Sequence, residues 1–222
     1  MPDEDLSTAE LIARLARVDT TSLVDAAPTL RVLPREIRPV RPGTRLVGPA
    51  VTVDAQGDLV PVLVGLASAR RGDVLVVAGD DDRAIAGELF ATEAVRRGLA
   101  GIVIHGLCRD SRTLRAMDLP VFATGVTPRA CPARALPTVG VPLTLGDVEV
   151  RPGDLVLADD DGVVVGSPAE VAAAIDAAEA IQTREEALRA AIERGEPLFD
   201  HLNVDEHVAA LRDGRDTRLA FS

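Results

Sequence analysis

Two oppositely charged residues, Arg109 and Asp110, stand side by side at the end of the apolar stretch GIVIHGLCRDS. Arg109 presents a planar fork of donors that suits a carboxylate. Asp110, together with the earlier carboxylate of Glu88, offers the hard oxygen ligands that Mg²⁺ or Mn²⁺ prefers. A cation that binds a carboxylate, beside a divalent metal, suits a site that binds and converts a small 2-oxo acid, because the metal can stabilise an enolate. The alternative interpretation is a solvated ion pair that contributes little.

The surrounding pattern predicts a βαβ unit that would bring these residues together. DVLVV and GIVIHG are typical of buried strands, and ELFATEAVRRG between them is typical of a helix that ends at Gly98. The helix of such a unit begins at the sheet edge where the second strand ends. We therefore expect Gly87–Leu89 to lie beside Gly106–Asp110, although 20 residues separate Glu88 from Arg109. The N–H groups of a helix start favour an anion, and a glycine there lets a ligand approach closely.

Helix signals flank this unit. Ser7 is the predicted N-cap of a first helix, with Glu10 at the capping-box position. Thr20 or Thr21 is the predicted N-cap of a second, shorter helix. The run LVPVLVGLASAR also predicts a helix, even though it contains Pro61. Helices therefore precede and alternate with the strands, which indicates an α/β protein.

The whole chain, 1–222, is predicted to form one α/β domain, because its length and hydrophobic content suit one sizeable core. A hairpin closed by Asp161–Gly162 is expected near the end of the core. The predicted parts are N-terminal helices at about 7–30, an α/β core at about 37–167, a C-terminal helix at about 168–196 and a polar tail to 222.

The composition argues against nucleic acids and membranes as partners. The chain carries a formal net charge of −11 and has four Phe but no Trp or Tyr, so neither phosphate attraction nor base stacking favours nucleic-acid binding. No apolar run is long enough to predict a membrane span. The start, MPDEDLSTAE, lacks the basic and apolar regions of a signal peptide, and two cysteines make no disulfide framework. We therefore expect a cytoplasmic protein.

The sequence strongly resembles the RraA-like family from about Thr20 to Leu198. The resemblance is carried by GDVLVV, GELFATEAVRRGLAGIVIHGLCRD, LPVFATG and VRPGDLVLADDDGVVV. Its most specific element is an acidic residue, twenty intervening residues and then Arg-Asp, which here are Glu88 and Arg109–Asp110. The family includes divalent-metal 4-hydroxy-4-methyl-2-oxoglutarate/4-carboxy-4-hydroxy-2-oxoadipate aldolases and regulators of ribonuclease E activity. Family aldolases usually carry Asp where this chain has Glu88, and Asp where it has His105.

The resemblance implies a role for each matching residue. Asp110 would bind Mg²⁺ or Mn²⁺ directly, and Glu88 would hold water in the outer shell of the metal. Arg109 would bind the substrate and favour the developing negative charge. The backbone N–H groups of Gly87, Glu88 and Leu89 would bind the carboxylate of the 2-oxo acid. The implied reaction is aldol cleavage of a 4-hydroxy-2-oxo dicarboxylate, decarboxylation of oxaloacetate, or both.

The resemblance also implies a fold and an assembly. The fold would be a swivelling β/β/α-type domain with a βαβ core and a C-terminal helix. Family members form homotrimers or hexamers with sites between subunits, and an acidic residue of the neighbouring chain completes the aldolase site. Glu193 and Glu196 are the candidates for that residue here. The alternative function is that of a non-catalytic RraA-like protein which binds and inhibits a ribonuclease or helicase partner.

Other reactive side chains receive a structural interpretation first. His105 could be a general base but is expected to be a hydrogen-bonded strand residue, and Cys108 has no evident base to make it a nucleophile. Asp80–Asp82 precedes the site helix and could border a ligand. Four further features are interpreted as structural or surface residues: Cys131, His201, His207 and Asp159–Asp161.

Overall fold

The computed structural model describes residues 6–220. Its helices are α1 (Thr8–Leu15), α2 (Thr20–Ala26), α3 (Leu59–Ser68), α4 (Glu88–Arg97), α5 (Ser111–Ala116), α6 (Pro168–Glu193) and α7 (Val204–Arg212), with a short 3₁₀ helix at Leu198–His201. Its strands are β1 (Arg31–Val32), β2 (Arg38–Pro39), β3 (Leu46–Asp54), β4 (Val74–Ala78), β5 (Ala84–Ala86), β6 (Gly101–Cys108), β7 (Val121–Val126), β8 (Thr138–Val139), β9 (Leu143–Leu145), β10 (Val148–Val150), β11 (Leu155–Asp159) and β12 (Gly162–Gly166).

The main sheet has the strand order β1-β12-β11-β3-β4-β6-β7-β2. Strands β3, β4, β6 and β7 are parallel to one another, whereas β11, β12 and the edge strands β1 and β2 pair antiparallel. The short β5 adds to the end of β6, and β9 and β10 form a separate hairpin. The βαβ unit predicted from DVLVV and GIVIHG is confirmed as β4, α4 and β6. The predicted α/β fold class is therefore confirmed.

An aliphatic core holds the sheet. The parallel strands β4 and β6 are apolar on both faces, as in sheets that are covered on both sides. Helices α3 and α4 pack on one face, where Val62, Leu66 and Ala91 are buried. On the other side, Phe122 is fully buried among residues of β9 to β12. Rigid strands thus fix the positions of the loops that follow them.

The helix starts agree only partly with the predictions. Ser7 and Glu10 form the predicted capping box. The predicted N-cap of α2 at Thr20 or Thr21 is wrong. The N-cap is Asp19, whose side chain accepts the backbone N–H of Ser22 at 2.8 Å, so the helix already begins at Thr20. Pro61 is the third residue of α3, where a helix leaves the backbone N–H unused.

The predicted hairpin exists as β11 and β12, but its turn lies one residue earlier than expected. Asp159 pairs with Gly162, so Asp160–Asp161 form the two-residue turn and Gly162 begins β12. The Asp159 carboxylate accepts the backbone N–H of Asp161 at 3.0 Å and so favours this register.

Contacts divide the chain into two units, with the boundary along the chain between Ala178 and Glu179. The second unit contains the end of α6, and the predicted polar tail contains the 3₁₀ helix and α7. Within it, the Asn203 side chain accepts the backbone N–H of Ala220 at 2.7 Å. None of the helices within residues 6–220 has the length and apolarity to cross a membrane.

Candidate functional site

The site lies where β5 brings the start of α4 beside the end of β6. Ala86 of β5 pairs with Cys108 of β6, and the carbonyl oxygen of Ala86 accepts the Arg109 N–H at 2.9 Å. The chain then turns at Gly87 into α4, while β6 passes directly into Arg109 and Asp110. The predicted proximity of Gly87–Leu89 to Arg109–Asp110 is confirmed. The sequence prediction missed β5, which creates this proximity.

The Asp110 carboxylate contacts both the backbone of Glu88 and the side chain of Arg109. Its Oδ2 accepts the backbone N–H of Glu88 at 3.1 Å, so it lies at the positive end of α4. Arg109 Nε donates to the same carboxylate, at 3.2 Å to Oδ2 and 3.3 Å to Oδ1. The side chains of Arg109 and Asp110 are 44% and 28% exposed. Arg109 and Asp110 thus form an ion pair, as the alternative interpretation predicted. This pair lies at a helix start within a cleft rather than on an open surface.

The backbone of Asp110 adopts an uncommon conformation. Its φ of 56° and ψ of 35° lie in the left-handed region, which aspartate tolerates better than most residues other than glycine. The carbonyl oxygen of Asp110 accepts the N–H groups of Thr113 and Leu114, which begins α5. Residues held in such backbone conformations are enriched at functional sites. The turn aims the Asp110 carboxylate back at α4.

Gly87 is required here for close approach. A Cβ at this position would overlap Asp110 Oδ2 and would stand 2.8 Å from Arg109 Cγ. Its φ of −156° and ψ of −160° describe an extended backbone that other residues also adopt. The absence of a side chain at Gly87 therefore lets the Asp110 carboxylate reach the first turn of α4.

Two clefts adjoin this arrangement, and Glu88, Arg109 and Asp110 line both. The first, here called the apolar cleft, has a volume of about 180 Å³. The second, here called the polar cleft, is wider, at about 570 Å³. The remaining walls of the apolar cleft are Leu59, Ala84, Ala86, Gly87, Leu89, Phe90 and Ala130. Those of the polar cleft are Ser111, Arg112, Thr113, Val126, Thr127 and Pro128.

The donor set of these clefts fits a largely hydrated Mg²⁺ or Mn²⁺. Such ions commonly take one or two carboxylates and keep several waters. Asp110 supplies one partly exposed carboxylate, and Glu88 supplies a second on the same walls. Within residues 6–220, no three His, Cys, Asp or Glu side chains are grouped as a metal site. A metal at Asp110 would therefore depend on water, substrate or another chain for its remaining ligands.

The two cysteines have the properties of structural residues. Cys108 is buried, and its Sγ donates weakly to the Gly125 carbonyl oxygen at 3.6 Å. Burial raises the pKa of Cys108 to about 11, and burial raises the pKa of Cys131 to about 11 as well. Neither thiol forms an appreciable thiolate near neutral pH, so neither has the reactivity of a nucleophile.

The remaining predicted residues lie around or apart from the clefts. His105 is half-buried in β6, where its carbonyl oxygen accepts the Gly79 N–H. In Asp80–Asp82, the Asp80 carboxylate accepts two backbone N–H groups of its own turn. Glu193 and Glu196 belong to the second unit, and Glu196 pairs with Arg194 and with His201 there.

One residue that supports the site was missed by the sequence analysis. Asp58 is buried and caps α3, accepting the Val60 N–H at 2.9 Å and the Arg134 N–H at 2.6 Å. Although burial alone would raise it, these backbone donors lower the pKa of Asp58 below its ordinary value. Asp58 thereby fixes Leu59 and the segment that follows Ala130, and Leu59 and Ala130 both line the apolar cleft. An Asp directly before the run LVPV was the available signal.

These features define an α/β protein with a cleft lined by Arg109, Glu88 and Asp110 at the edge of a parallel sheet, and comparison with known proteins identifies its family. The family model RraA-like, described as Aldolase/RraA, matches residues 20–165. The chain belongs to the RraA-like family, and the resemblance noted from the sequence is confirmed.

Three relatives illustrate the range of the family. The chain is 39% identical over 165 residues to a Halalkalibacterium halodurans protein named "Putative 4-hydroxy-4-methyl-2-oxoglutarate aldolase", covering 72% of this chain and 79% of that protein. It is similar to the RNA-processing inhibitor RraA from Thermus thermophilis, with 33% identity, a TM-score of 0.62 and coverage of 67% and 92%. It is also similar to Streptomyces coelicolor RraAS2, described as an unusual member of the RNase ES inhibitor RraA protein family, with 29% identity, a TM-score of 0.73 and coverage of 83% and 99%.

Proposed function

We propose that this protein is a divalent-metal-dependent lyase that releases pyruvate from a 2-oxo dicarboxylate. The substrate would be a 4-hydroxy-2-oxo dicarboxylate cleaved by a retro-aldol reaction, oxaloacetate that is decarboxylated, or both. The observation that carries the proposal is the Asp110 carboxylate at the start of α4, with Arg109 beside it in a cleft. Similarity to proteins named as aldolases supports this class of reaction.

In the retro-aldol reaction, the bond between C3 and C4 breaks after the 4-hydroxyl group loses its proton. The bonding electrons move towards the C2 carbonyl and give a pyruvate enolate, which is then protonated at C3. A Mg²⁺ or Mn²⁺ ion held by Asp110 supplies Lewis acidity for this carbonyl when bound. Decarboxylation of oxaloacetate passes through the same enolate, so one site can serve both reactions.

The side chains at the cleft would divide the remaining work. Arg109 binds the substrate and stabilises the negative charge that develops on the carbonyl oxygen. The first-turn N–H groups of α4, including that of Leu89, bind the carboxylate next to the carbonyl. The Glu88 carboxylate holds a water molecule that can carry the proton from the 4-hydroxyl group. Cys108 takes no part, because its thiol stays protonated.

The assembly and location belong to the same proposal. We infer a homotrimer or hexamer in which an acidic residue from a neighbouring chain completes the site. Glu193 and Glu196 remain the candidates. A cytoplasmic location would suit a protein that acts on a small central metabolite of this class. Sedimentation of the full chain, followed by mixing of subunits that carry complementary site variants, would test the shared site.

A coupled assay tests the reaction directly. Pyruvate release from 4-hydroxy-4-methyl-2-oxoglutarate and from oxaloacetate is followed with lactate dehydrogenase, with and without EDTA. We expect EDTA to abolish turnover and Asp110→Asn to remove most of it. The control is Asp118→Asn, which changes a fully exposed carboxylate outside both clefts and should retain wild-type rates. Turnover that survives EDTA, or no turnover of any 2-oxo dicarboxylate, would contradict the proposal.

A second candidate function is binding and inhibition of a ribonuclease or helicase partner without catalysis. Similarity to proteins described as RNA-processing and RNase ES inhibitors favours it. A pull-down with a purified ribonuclease or helicase would test this function. Equal binding by the wild type and Asp110→Ala, together with no lyase activity in the wild type, would support the second candidate over the first.

A further inference from the structure

The polar cleft contains a cation, Arg112, that has no role in the proposed reaction. Arg112 lies on α5, two residues after Asp110, and lines the polar cleft but not the apolar cleft. Its side chain is exposed, and within residues 6–220 it forms no salt bridge, whereas Arg109 is held by Asp110. Arg112 is therefore available to a ligand in the polar cleft.

The rest of the polar cleft offers hydroxyl groups at the same end of the sheet. Cys108 of β6 pairs with Val126 of β7, and the Thr127 N–H donates to the Cys108 carbonyl oxygen at 3.0 Å. This pairing holds Thr127 opposite the start of α5, where Ser111 and Thr113 are found. Three hydroxyl side chains thus share the cleft with one unpaired guanidinium. Hydroxyl donors and a guanidinium are the groups that recognise a carboxylate.

The two clefts differ in what they can accept. Apart from the shared charged wall, the apolar cleft is lined by aliphatic side chains and Phe90, which favour a methyl or methylene group. The polar cleft has the second cation. The chain as a whole carries a net charge of −11, which repels a dianion at long range, so each carboxylate of a substrate needs a local cation. Arg109 and the first-turn N–H groups of α4 are assigned to the carbonyl end of the substrate, which leaves the other carboxylate without a local cation.

We propose that Arg112 determines specificity by binding the second carboxylate of a 2-oxo dicarboxylate in the polar cleft. This inference rests on the proposed function for its substrate class. The reacting carbonyl then lies at the shared wall of Glu88, Arg109 and Asp110, and the distal carboxylate extends towards Arg112. A 2-oxo acid with one carboxylate would leave Arg112 without a partner and would gain nothing from it.

Binding of two unreactive ligands separates this inference from the catalytic proposal. The ligands are 2-oxoglutarate and 2-oxopentanoate, which have the same number of carbon atoms but two carboxylates and one carboxylate. Isothermal titration with Mg²⁺ present would measure both ligands on the wild type and Arg112→Met. We expect the variant to bind 2-oxoglutarate on the order of 10- to 100-fold more weakly and 2-oxopentanoate within about twofold of the wild type.

Arg115→Met is the matched control. Arg115 lies on the same helix three residues later, carries the same charge and lines neither cleft; its Nε donates to the Val40 carbonyl oxygen. It should leave the preference for 2-oxoglutarate unchanged. Equal weakening of both ligands in Arg112→Met, no weakening of either, or the same selective loss in Arg115→Met would overturn the assignment. Failure of the wild type to bind 2-oxoglutarate would overturn it too.

Steady-state kinetics distinguish binding of the distal carboxylate from a role in bond cleavage. Arg112→Met should lower kcat/KM for 4-hydroxy-4-methyl-2-oxoglutarate mainly through KM, because the distal carboxylate is bound equally before and during bond cleavage. If the wild type binds 2-oxoglutarate through Arg112 but turns over no substrate, the lyase proposal fails while the binding assignment stands. A fall in kcat with an unchanged KM would show that Arg112 acts at the reacting atoms and would overturn a purely distal role.

Discussion

Replacing Gly87 by alanine should disable the site while leaving the fold intact. The new methyl group would stand 2.8 Å from Arg109 Cγ, whereas ordinary contacts begin near 3.4 Å, so these atoms must separate by about 0.6 Å. The same methyl group overlaps Asp110 Oδ2, which must leave its position against the Glu88 N–H. Both charged side chains of the site therefore move together.

The expected loss of activity follows from this displacement. A misplacement approaching 1 Å at a reacting group can cost on the order of 100-fold in rate. We therefore expect kcat/KM in the coupled pyruvate assay to fall about 10- to 100-fold, which corresponds to about 1.4 to 2.7 kcal/mol of transition-state stabilisation. The backbone at Gly87 is extended and accommodates alanine, so the unfolding temperature should change little.

Gly125→Ala is the matched control for this variant. Gly125 also lies near the end of β6, through its pairing with Leu107, and a methyl group there meets only the flexible end of the Leu107 side chain at 3.1 Å. Gly125→Ala should keep most of the activity. A wild-type value of kcat/KM in Gly87→Ala would refute the reasoning. It would show that activity does not require the Asp110 carboxylate to lie against the first turn of α4. A large drop in unfolding temperature would attribute the loss to folding instead.

Three further outcomes follow from single side chains. Arg109→Lys should lose on the order of 10-fold or more in kcat/KM in the coupled assay, because an ammonium cannot supply the bidentate fork. Thiol titration of the native protein at pH 8 should find Cys108 and Cys131 nearly unreactive, since burial holds the pKa of each near 11, and both should react after denaturation. Asp154→Ala should destabilise the fold by about 1 to 3 kcal/mol, seen as a fall of about 2 to 12 °C in unfolding temperature, because Arg31 loses its buried partner at 2.9 Å and keeps the more distant Glu170 carboxylate, while the Arg151 N–H loses its acceptor.

Each of the two substitutions has a control variant. Arg35→Lys changes an arginine that is 89% exposed and should leave the kinetics alone. Asp118→Ala removes a fully exposed carboxylate and should unfold within about a degree of the wild type. Wild-type kinetics in Arg109→Lys would remove Arg109 from the mechanism. A fast-reacting thiol in the native state, or an unchanged unfolding temperature in Asp154→Ala, would contradict the corresponding structural account.

The sequence predicted the βαβ unit because its signals are strong and local. Apolar runs mark β4 and β6, and a left-handed glycine after two arginines marks the end of α4 at Gly98. It did not predict β5, since three apolar residues between an acidic turn and a helix are too few to show a periodicity. It also misplaced the turn between β11 and β12, because side-chain acceptors on Asp159 and Asp160 decide the register there.

Part of the site could likewise not be predicted from the sequence. Chain connectivity was enough to bring Glu88 near Arg109, but the left-handed backbone at Asp110 depends on how β6 joins α5. The polar cleft depends on the pairing of β6 with β7, so Arg112 and Thr127 have no motif that links them. Such tertiary placement is invisible to spacing rules.

The Arg109–Asp110 pair gives an electrostatic reason to expect that metal and substrate bind cooperatively. In the structure, Arg109 Nε donates to the Asp110 carboxylate at 3.2 Å, so this donor is not free for an anion. A divalent cation at Asp110 would compete with the guanidinium for the same oxygens and release Arg109 towards the substrate. Because coupling between two ligands is reciprocal, a bound 2-oxo acid that occupies Arg109 must raise the affinity of Asp110 for the cation by the same factor. If the proposed metal and 2-oxo acid bind here, the Arg109–Asp110 pair would be the resting arrangement of the site, and each ligand would favour binding of the other.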